Sequence, residues 1–369
     1  MFMKVLSFPF LIYSNSGGCR ILRRLYQGRE ALVTSLVITE FQATPLKGNV
    51  EEVFVSAVPL SHYWMRWYLR DWITLLRKNV FRFITITRAQ RAAKNIPYDV
   101  IHVLNHGSFS AVLCNPAFCG GKLLWVSFHD HFLSTNTPRK DTDVLWNNAN
   151  RRLVISDELG IEYQNLFGNK PYEIITDGVS ADEISRPLAA IEKPIIIYYA
   201  GMLHLHYMPL FNVLANSLEL LNEQGLSFKL ILRGTQQLEF LKNRSFEIEY
   251  RPVTLNNTEL KEEMDTASIL YLPMKFTTPD FYLYSLSTKM VGYLGSPGTI
   301  LYHGPIDSAA CRLLQKENAA VCCGSLEIAE LVENINSILL DQNDFSANAK
   351  LLAKSKFNLN KIQQKFWLG

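Results

Sequence analysis

The chain has 369 residues, 48% of them hydrophobic, and a formal net charge of +3 at pH 7. Because a domain holds roughly 150 residues, this length predicts about two domains, each with a sizeable core. The nearly balanced charge argues against a nucleic-acid-binding protein, which usually carries a strongly basic face.

The cysteines and the N-terminus bear on the compartment. The six cysteines are scattered, and Cys114 and Cys119 have no second Cys/His pair nearby to finish a zinc site. We therefore expect reduced thiols, which fits the cytoplasm.

No run reaches the roughly 18 to 20 apolar residues of a membrane-spanning helix. Residues 1–13 are apolar but lack a cleavage site at the right distance, so they predict a buried first strand rather than a signal peptide.

In the first half of the chain, short apolar runs alternate with amphipathic stretches, which predicts parallel strands covered by helices. The predicted strands are Lys4–Phe8, Ala31–Ile38, Glu52–Val58, Val100–Leu104, Leu123–Phe128, Leu153–Ile155 and Glu173–Ile175. Helices predicted between them include Cys19–Gln27 and Glu158–Leu166.

The second half repeats this α/β pattern. Its predicted strands are Pro194–Tyr199, Phe228–Leu232, Glu247–Tyr250, Ile269–Leu272, Thr299–Tyr302 and Ala320–Cys322. Its predicted helices are Met208–Asn222, Glu259–Met264, Ser287–Leu294, Ser308–Lys316 and Leu326–Leu340.

The polar segment Ser180–Lys193, which follows the turn Asp177-Gly178, is the predicted boundary between domains. We expect a domain over residues 1–180, a second over 190–345, and C-terminal helices over 346–369. Two consecutive doubly wound domains leave a cleft at the carboxyl ends of their sheets, where loops and helix N-termini converge on ligands.

The first candidate site is the turn 14–18 between the first strand and the first helix. Gly17 and Gly18 allow a sharp turn and a close approach of the backbone to a ligand, and the helix N-terminus behind them attracts negative charge. An ordinary tight turn is the alternative. The sequence is not G-x-G-x-x-G, so no nicotinamide cofactor is indicated.

The second candidate site is His129-Asp130-His131, directly after a predicted strand. His129 is a candidate to hydrogen-bond a sugar hydroxyl, and Asp130 to fix its tautomer or contact the acceptor. Structural polar residues and a metal site are the alternatives. Adjacent strand positions point to opposite faces and no third ligand is evident, so we expect no metal.

Two further candidates lie in the second half. Tyr284, Ser287, Thr288 and Lys289 precede or open a helix, where hydroxyls, a cation and the helix N-terminus together predict a diphosphate site. A capped surface helix is the alternative. Arg233 ends a strand and is a candidate to reach phosphate, with a surface arginine equally consistent.

Two other segments need an interpretation. Asp141-Thr142-Asp143 resembles a metal-binding Asp-x-Asp, but no apolar run precedes it, so we predict the first turn of a helix, where acids are favoured. The segment Trp64–Lys94 is aromatic and basic. Such a segment is consistent with peripheral contact with anionic lipid at the inner face of a membrane, and also with ordinary helix packing.

Taken together, these segments resemble the GT-B superfamily, and most closely glycosyltransferase family 4 and related bacterial polysaccharide glycosyltransferases. Residues 199–203 resemble the family's YAGRL, residues 286–294 its LPSKxxEYL, and residues 300–305 its PVLxxGP. Residues 174–179 resemble its xIPDGVD, while 16–18 and 128–130 match its glycine loop and His-Asp loop. The order and spacing of the motifs cover nearly the whole chain.

The resemblance implies two Rossmann-like domains facing across a cleft, with a last helix that crosses back to the N-terminal domain. It implies metal-independent transfer, with retention, from a nucleotide-diphosphate-sugar to a glycan or lipid-linked acceptor. No cofactor is implied. Carried over, Ser287 and Lys289 would bind the diphosphate, Gly17 and Gly18 would approach it, and His129 would meet the sugar. Gly201 and Tyr284 fall within or beside the donor motifs.

This chain departs from the family at four positions. The two family glutamates fall on Tyr284 and Gly292, the arginine of YAGRL falls on Met202, and the lysine that usually follows is absent from residues 204–209. A catalytically silent GT-B binding protein and a sugar-nucleotide epimerase are therefore the alternative functions.

Overall fold

The computed structural model describes residues 3–14, 16–41, 48–61, 69–186, 188, 190–340 and 342–368. The chain forms two compact units, Met1–Thr176 and Asp177–Gly369. This division falls just before the predicted linker, and the C-terminal helices belong to the second unit. That the last helix packs on the N-terminal domain stays a prediction.

The first unit is built on a sheet of seven parallel strands in the order β3-β2-β1-β4-β5-β6-β7. The strands are β1 (Val5–Phe8), β2 (Val33–Phe41), β3 (Glu51–Ser61), β4 (Val100–Leu104), β5 (Leu123–Phe128), β6 (Arg151–Val154) and β7 (Glu173–Ile174). The central strands β1 and β4 are buried along their whole length, as expected for a parallel sheet with helices on both faces.

The helices of the first unit connect successive strands. They are α1 (Gly17–Tyr26), α2 (Arg70–Asn79), α3 (Arg82–Lys94), α4 (Pro116–Cys119), α5 (Arg139–Asn148) and α6 (Asp157–Phe167). Asp141 lies in the first turn of α5, as predicted, where its carboxylate pairs with Arg82 at 3.0 Å. The Asp-x-Asp triplet therefore belongs to a helix start.

The second unit contains six parallel strands in the order β10-β9-β8-β11-β12-β13. They are β8 (Ile195–Ala200), β9 (Phe228–Arg233), β10 (Glu247–Arg251), β11 (Ile269–Pro273), β12 (Thr299–His303) and β13 (Val321–Cys323). From β8 the chain adds strands outward to β10 on one side, and from β11 it adds strands outward to β13 on the other. The strand order therefore reverses between β8 and β11. Ligands of doubly wound sheets bind outside the carboxyl ends of the strands at such a point.

The helices of the second unit alternate with these strands. They are α7 (Met208–Glu223), α8 (Asn257–Thr266), α9 (Pro279–Tyr282), α10 (Thr288–Tyr293), α11 (Ala309–Lys316), α12 (Ile328–Leu340), α13 (Gln342–Ser355) and α14 (Leu359–Leu368). One face of α7 is apolar and is buried in a core cluster that also includes Tyr199 and Tyr271. Among the described residues, no helix is both long and apolar enough to cross a bilayer.

A short parallel bridge joins the beginning of the second unit to the start of α14. The Val179 N–H donates to the Phe357 carbonyl at 2.6 Å, and the Leu359 N–H donates to the Val179 carbonyl at 3.0 Å. A side chain at Gly178 would lie 2.7 Å from the Leu359 Cα, so glycine allows this close approach. Val179, near the beginning of the second unit, is thus hydrogen-bonded to residues 357–359.

Candidate functional site

The predicted diphosphate site lies in the second unit, where β8 ends beside the start of α10. Gly201 has a φ of +147°, and a Cβ there would lie 2.9 Å from the Lys289 Nζ and 3.2 Å from the Tyr199 hydroxyl. The Gly201 N–H donates to the Arg233 carbonyl at 2.9 Å, and the Thr235 hydroxyl donates to the Gly201 carbonyl at 3.0 Å. The structure therefore brings predicted residues Gly201 and Lys289 together, on a backbone fixed from both sides.

The position of Lys289 follows from the way α10 is anchored. Met290 and Val291 are buried, and the Tyr293 hydroxyl accepts a hydrogen bond from the Ala200 N–H at 3.2 Å. Residues four apart lie on the same face of a helix, so Lys289 is directed to the same strand end as Tyr293.

The Lys289 ammonium is a cation without a counter-ion in the described part of the chain. Its Nζ lies 5.5 Å from the centroid of the Tyr199 ring, and it has no carboxylate partner among the described residues. The side chain is half-buried, and burial lowers the pKa of Lys289 to about 8. The ammonium is thus largely protonated at neutral pH, and a bound anion would stabilise its charge.

The other predicted donor residues contribute differently from what the sequence predicts. The Ser287 hydroxyl caps α10 by accepting from the Lys289 N–H at 3.2 Å. Since α10 has only six residues, its N-terminus is a weaker source of positive potential than the sequence predicts. Thr288 and Tyr284 are half-buried close by in the chain. The positive charge of this site comes mainly from Lys289.

Arg233 is engaged in a buried ion-pair cluster. Its guanidinium bonds to both carboxylate oxygens of Glu263, to Glu259 at 2.8 Å, and to the Pro252 carbonyl at 2.6 Å. The pKa of Arg233 is raised, chiefly by the hydrogen bonds to Glu263. All three guanidinium nitrogens have protein acceptors, so the geometry gives Arg233 a structural role and does not support the predicted contact with phosphate.

The glycine turn 14–18 and the predicted site at His129 lie in the first unit, where β5 ends opposite the start of α1. His129 is buried, and neither ring nitrogen has a hydrogen-bond partner among the described residues. A Cβ at Gly18 would lie 3.6 Å from the His129 Nδ1. Burial, with a smaller contribution from the nearby His106, lowers the pKa of His129 to about 3. The imidazole is therefore neutral at pH 7, with one donor and one acceptor to offer.

The glycines of this site do not make the sharp turn that the sequence predicts. Gly17 and Gly18 are the first residues of α1, and neither has a positive φ. Ser16 caps the helix, its hydroxyl accepting from the Cys19 N–H at 3.3 Å. The absence of a side chain at Gly18 instead leaves space between α1 and His129.

The His-Asp pairing expected from the sequence is not formed. Within the described ranges, neither nitrogen of the His129 ring has a hydrogen-bond partner, so the Asp130 carboxylate does not set its tautomer here. The Asp130 carbonyl accepts from the Tyr163 hydroxyl at 3.4 Å, and the His131 ring packs against Phe132 and Tyr163. Among the described residues, no cluster of His, Cys, Asp or Glu has the arrangement needed to hold a metal ion.

Two residues of these sites, His106 and Tyr199, were not selected as site residues in the sequence analysis. His106 follows β4 as His129 follows β5, and its ring lies 4.8 Å from that of Phe10. Searching for polar residues directly after every predicted strand would have found it. Tyr199 belongs to the quoted YAGRL-like segment but is buried, so only the structure shows that its ring lies against Lys289.

Comparison with known proteins gives structural relatives only. No protein-family model matches the chain, and no curated protein sequence is significantly similar to it. HepE of Anabaena, solved with UDP and glucose, matches with a TM-score of 0.67 at 13% identity over 99% of this chain and 98% of its own.

Two further solved structures agree with this result. The UDP-forming α,α-trehalose-phosphate synthase of Burkholderia xenovorans, solved with glucose-6-phosphate, has a TM-score of 0.64 at 12% identity, covering 99% of both chains. WaaG, a glycosyltransferase involved in lipopolysaccharide biosynthesis, has a TM-score of 0.60 at 12% identity, covering 99% of this chain and 98% of its own. The chain therefore has the GT-B fold, as its sequence motifs predicted.

Proposed function

We propose that this chain is a glycosyltransferase that moves a sugar from a nucleotide-diphosphate-sugar donor to a glycan or a lipid-linked saccharide. The single observation that carries the proposal is the ammonium of Lys289, which has no carboxylate partner in the described part of the chain and lies against the Gly201 backbone at the reversal point of the second sheet. A doubly wound sheet binds ligands at this point, and a half-buried cation there suits an anionic ligand.

The chemistry of glycosyl transfer explains why such a cation is needed. When the bond between the sugar and the diphosphate breaks, negative charge accumulates on the departing diphosphate. A preorganised cation stabilises that charge without reorganising at the moment of reaction. In this proposal Lys289 supplies the charge, and Gly201 lets the diphosphate approach the backbone. Ser287, Thr288 and Tyr284 lie nearby in the chain and complete the proposed donor site.

The first unit contributes hydrogen bonding to sugar. His129 is buried and neutral, and no residue that the structure describes bonds to its ring nitrogens, so a sugar hydroxyl would satisfy a group that is otherwise costly to bury. Gly17 and Gly18 leave room for the ligand, and Asp130 remains the candidate for contact with the acceptor. We further propose, from the resemblance to family 4, that the anomeric configuration is retained and that no metal is required.

The first experiment is a thermal-stability screen with nucleoside diphosphates and nucleotide sugars. HepE was solved with UDP and glucose, so UDP and UDP-glucose come first. A ligand present at a hundred times its Kd stabilises the folded state by about 2.7 kcal/mol, which is easily measured. If no nucleoside diphosphate raises the melting temperature, the proposed donor site is wrong.

A variant of Lys289 shows whether the effect arises at this site. Lys289→Ala should weaken binding of the responding nucleotide by about tenfold to a hundredfold, the contribution of a charge-assisted hydrogen bond. Lys316→Ala, at the exposed end of α11 in the same unit, is the matched control and should leave the affinity unchanged.

Two other functions are tested by the same reagents. A silent binding protein is favoured by Tyr284, Gly292 and Met202, which replace charged family residues. Such a protein binds a partner and transfers no sugar, and the absence of a thermal shift with every nucleoside diphosphate would favour it. An epimerase would convert the sugar nucleotide to an isomer in the absence of acceptor. Formation of a glycosidic product with release of nucleoside diphosphate would support the proposed transferase.

A further inference from the structure

We propose that the outer face of α2 and the start of α3 docks on an anionic phospholipid membrane. The sequence left two interpretations of this segment open, contact with lipid and ordinary helix packing. The docking surface is defined here by described residues of the stretch 69–94. Trp64, Arg66 and Trp67 lie outside the described residues and carry none of the argument.

Several large apolar side chains of this segment point away from the protein. Trp72 is 68% exposed and Phe83 is 66% exposed, values that are high for large aromatic residues. The exposed apolar residues in this short stretch are Leu69, Trp72, Leu75, Leu76, Val80 and Phe83. An apolar surface of this kind on a protein marks an interaction site.

Two polar side chains of the same helices point inward. Arg77 is buried, its guanidinium pairing with Glu40 at 2.8 Å and donating to the Pro59 carbonyl at 2.9 Å. On α3, the buried Thr85 hydroxyl accepts from the Val58 N–H at 3.0 Å. These contacts fix both helices to the edge of the sheet through polar groups. Ordinary packing would bury Trp72 and Phe83 instead, so this arrangement argues against it.

The charge around the apolar residues indicates what covers them. Residues 69–94 contain seven Lys or Arg and one acid, a local charge of +6, so the rest of the chain sums to −3. Lys78, Arg88, Arg91 and Lys94 are exposed and have no ion-pair partner among the described residues. Exposed aromatic and aliphatic groups on helices that also carry these exposed cations complement the interface of an anionic bilayer. A protein partner would need an acidic surface with an apolar centre.

The test is co-sedimentation with vesicles, without nucleotide or acceptor. We expect binding to phosphatidylcholine vesicles that contain phosphatidylglycerol, and much weaker binding to phosphatidylcholine alone. Added salt should weaken the binding because it screens the cations. Trp72→Ser and Phe83→Ser should each lower the partition coefficient about tenfold. Lys78→Glu should lower it at least fivefold.

Matched controls separate docking from a general loss of structure. Ile161→Ser removes an exposed apolar residue from α6 of the same unit, and Lys140→Glu reverses an exposed cation on α5. Both should bind vesicles like the unchanged protein. Hydrogen exchange on vesicle addition should slow in residues 69–94. All variants should keep the nucleotide-induced thermal shift, so the outcome is independent of the proposed transferase activity.

Three results would overturn the inference. The first is no binding to anionic vesicles, and the second is binding that Trp72→Ser and Phe83→Ser leave unchanged. The third is a dimer in solution that Phe83→Ser dissociates while vesicles are not bound, because the apolar face would then be covered by a second copy of the chain.

Discussion

Both units place a glycine near a titratable side chain at the carboxyl edge of a parallel sheet, but the two corners differ in charge. At one corner Gly201 meets Lys289, and at the other Gly18 meets His129. Burial disfavours the charged form of both side chains. It lowers the pKa of Lys289 to about 8 and that of His129 to about 3. The same physical effect therefore leaves a cation in one unit and a neutral ring in the other.

The two glycines are also needed for different reasons. Gly201 has a φ of +147°, a conformation that other residues rarely adopt, and a Cβ would meet the ammonium. Gly18 is helical, and a Cβ there would make only ordinary contacts of 3.5 to 3.8 Å. At Gly201 the backbone conformation requires glycine. At Gly18 the fold would accept a side chain, and glycine matters only because it leaves space beside His129.

The largest expected effect tests this difference at Gly201. Gly201→Ala should destabilise the protein by roughly 2 to 3 kcal/mol, because alanine is strained at this φ and displaces the Lys289 ammonium. Urea unfolding measures the loss, and nucleotide binding should fall with it. Unchanged stability would show that the loop adopts another conformation. Gly225→Ala, also at a positive φ but with no atom near its Cβ, isolates the backbone contribution.

The neutral state of His129 should appear as sensitivity to acid. Its pKa is about 3 in the folded chain and about 6.5 when unfolded, so the unfolded chain binds more protons between these values. Stability is therefore lost as the pH falls through this window, by about 2 kcal/mol at about pH 5. His129→Asn should lack this part of the loss in unfolding titrations. His204→Asn, at an exposed site, should retain it.

The cationic state of Lys289 should govern nucleotide affinity at high pH. A bound diphosphate stabilises the ammonium, so affinity should fall by up to about tenfold per pH unit above about pH 8 as the free protein loses this proton. Titration calorimetry with UDP measures the profile. Lys289→Arg should flatten it, because guanidinium remains charged. The same slope in both proteins would assign the effect to another group.

The smallest expected change in stability is at Gly18. Gly18→Ala should leave stability equal or raise it by roughly 0.5 kcal/mol, because alanine favours helix and its Cβ fits. Sugar transfer should nevertheless fall, since the methyl group occupies the space beside His129. Gly28→Ala, at a positive φ beyond α1, should show the opposite pattern, a loss of stability with full activity. Full activity in Gly18→Ala would remove this corner from the proposed site.

Much of the fold could be predicted from the sequence because parallel strands are continuous apolar runs. Val100–Leu104 and Leu123–Phe128 were predicted with the bounds they have, and every other predicted strand is present with ends shifted by one to three residues. Helix starts were also readable where a hydroxyl caps them, as at Ser287.

Contacts between distant residues could not be predicted in this way. Arg233 was expected to be available for phosphate, but Glu263, thirty residues later on α8, pairs with it. The pattern of the stretch 69–94 likewise could not show which face of α2 and α3 is buried. On α2, Arg77 is buried together with Ile73 and finds acceptors on β2 and β3.

Because of the bridge at Val179, the start of α14 is hydrogen-bonded to the segment with which the second unit begins. Removing residues 357–369 would strip both backbone partners from Val179, leaving an N–H and a carbonyl to seek water. A shortened chain would therefore lose more than a terminal helix, because the segment with which the second unit begins would lose both of these backbone hydrogen bonds.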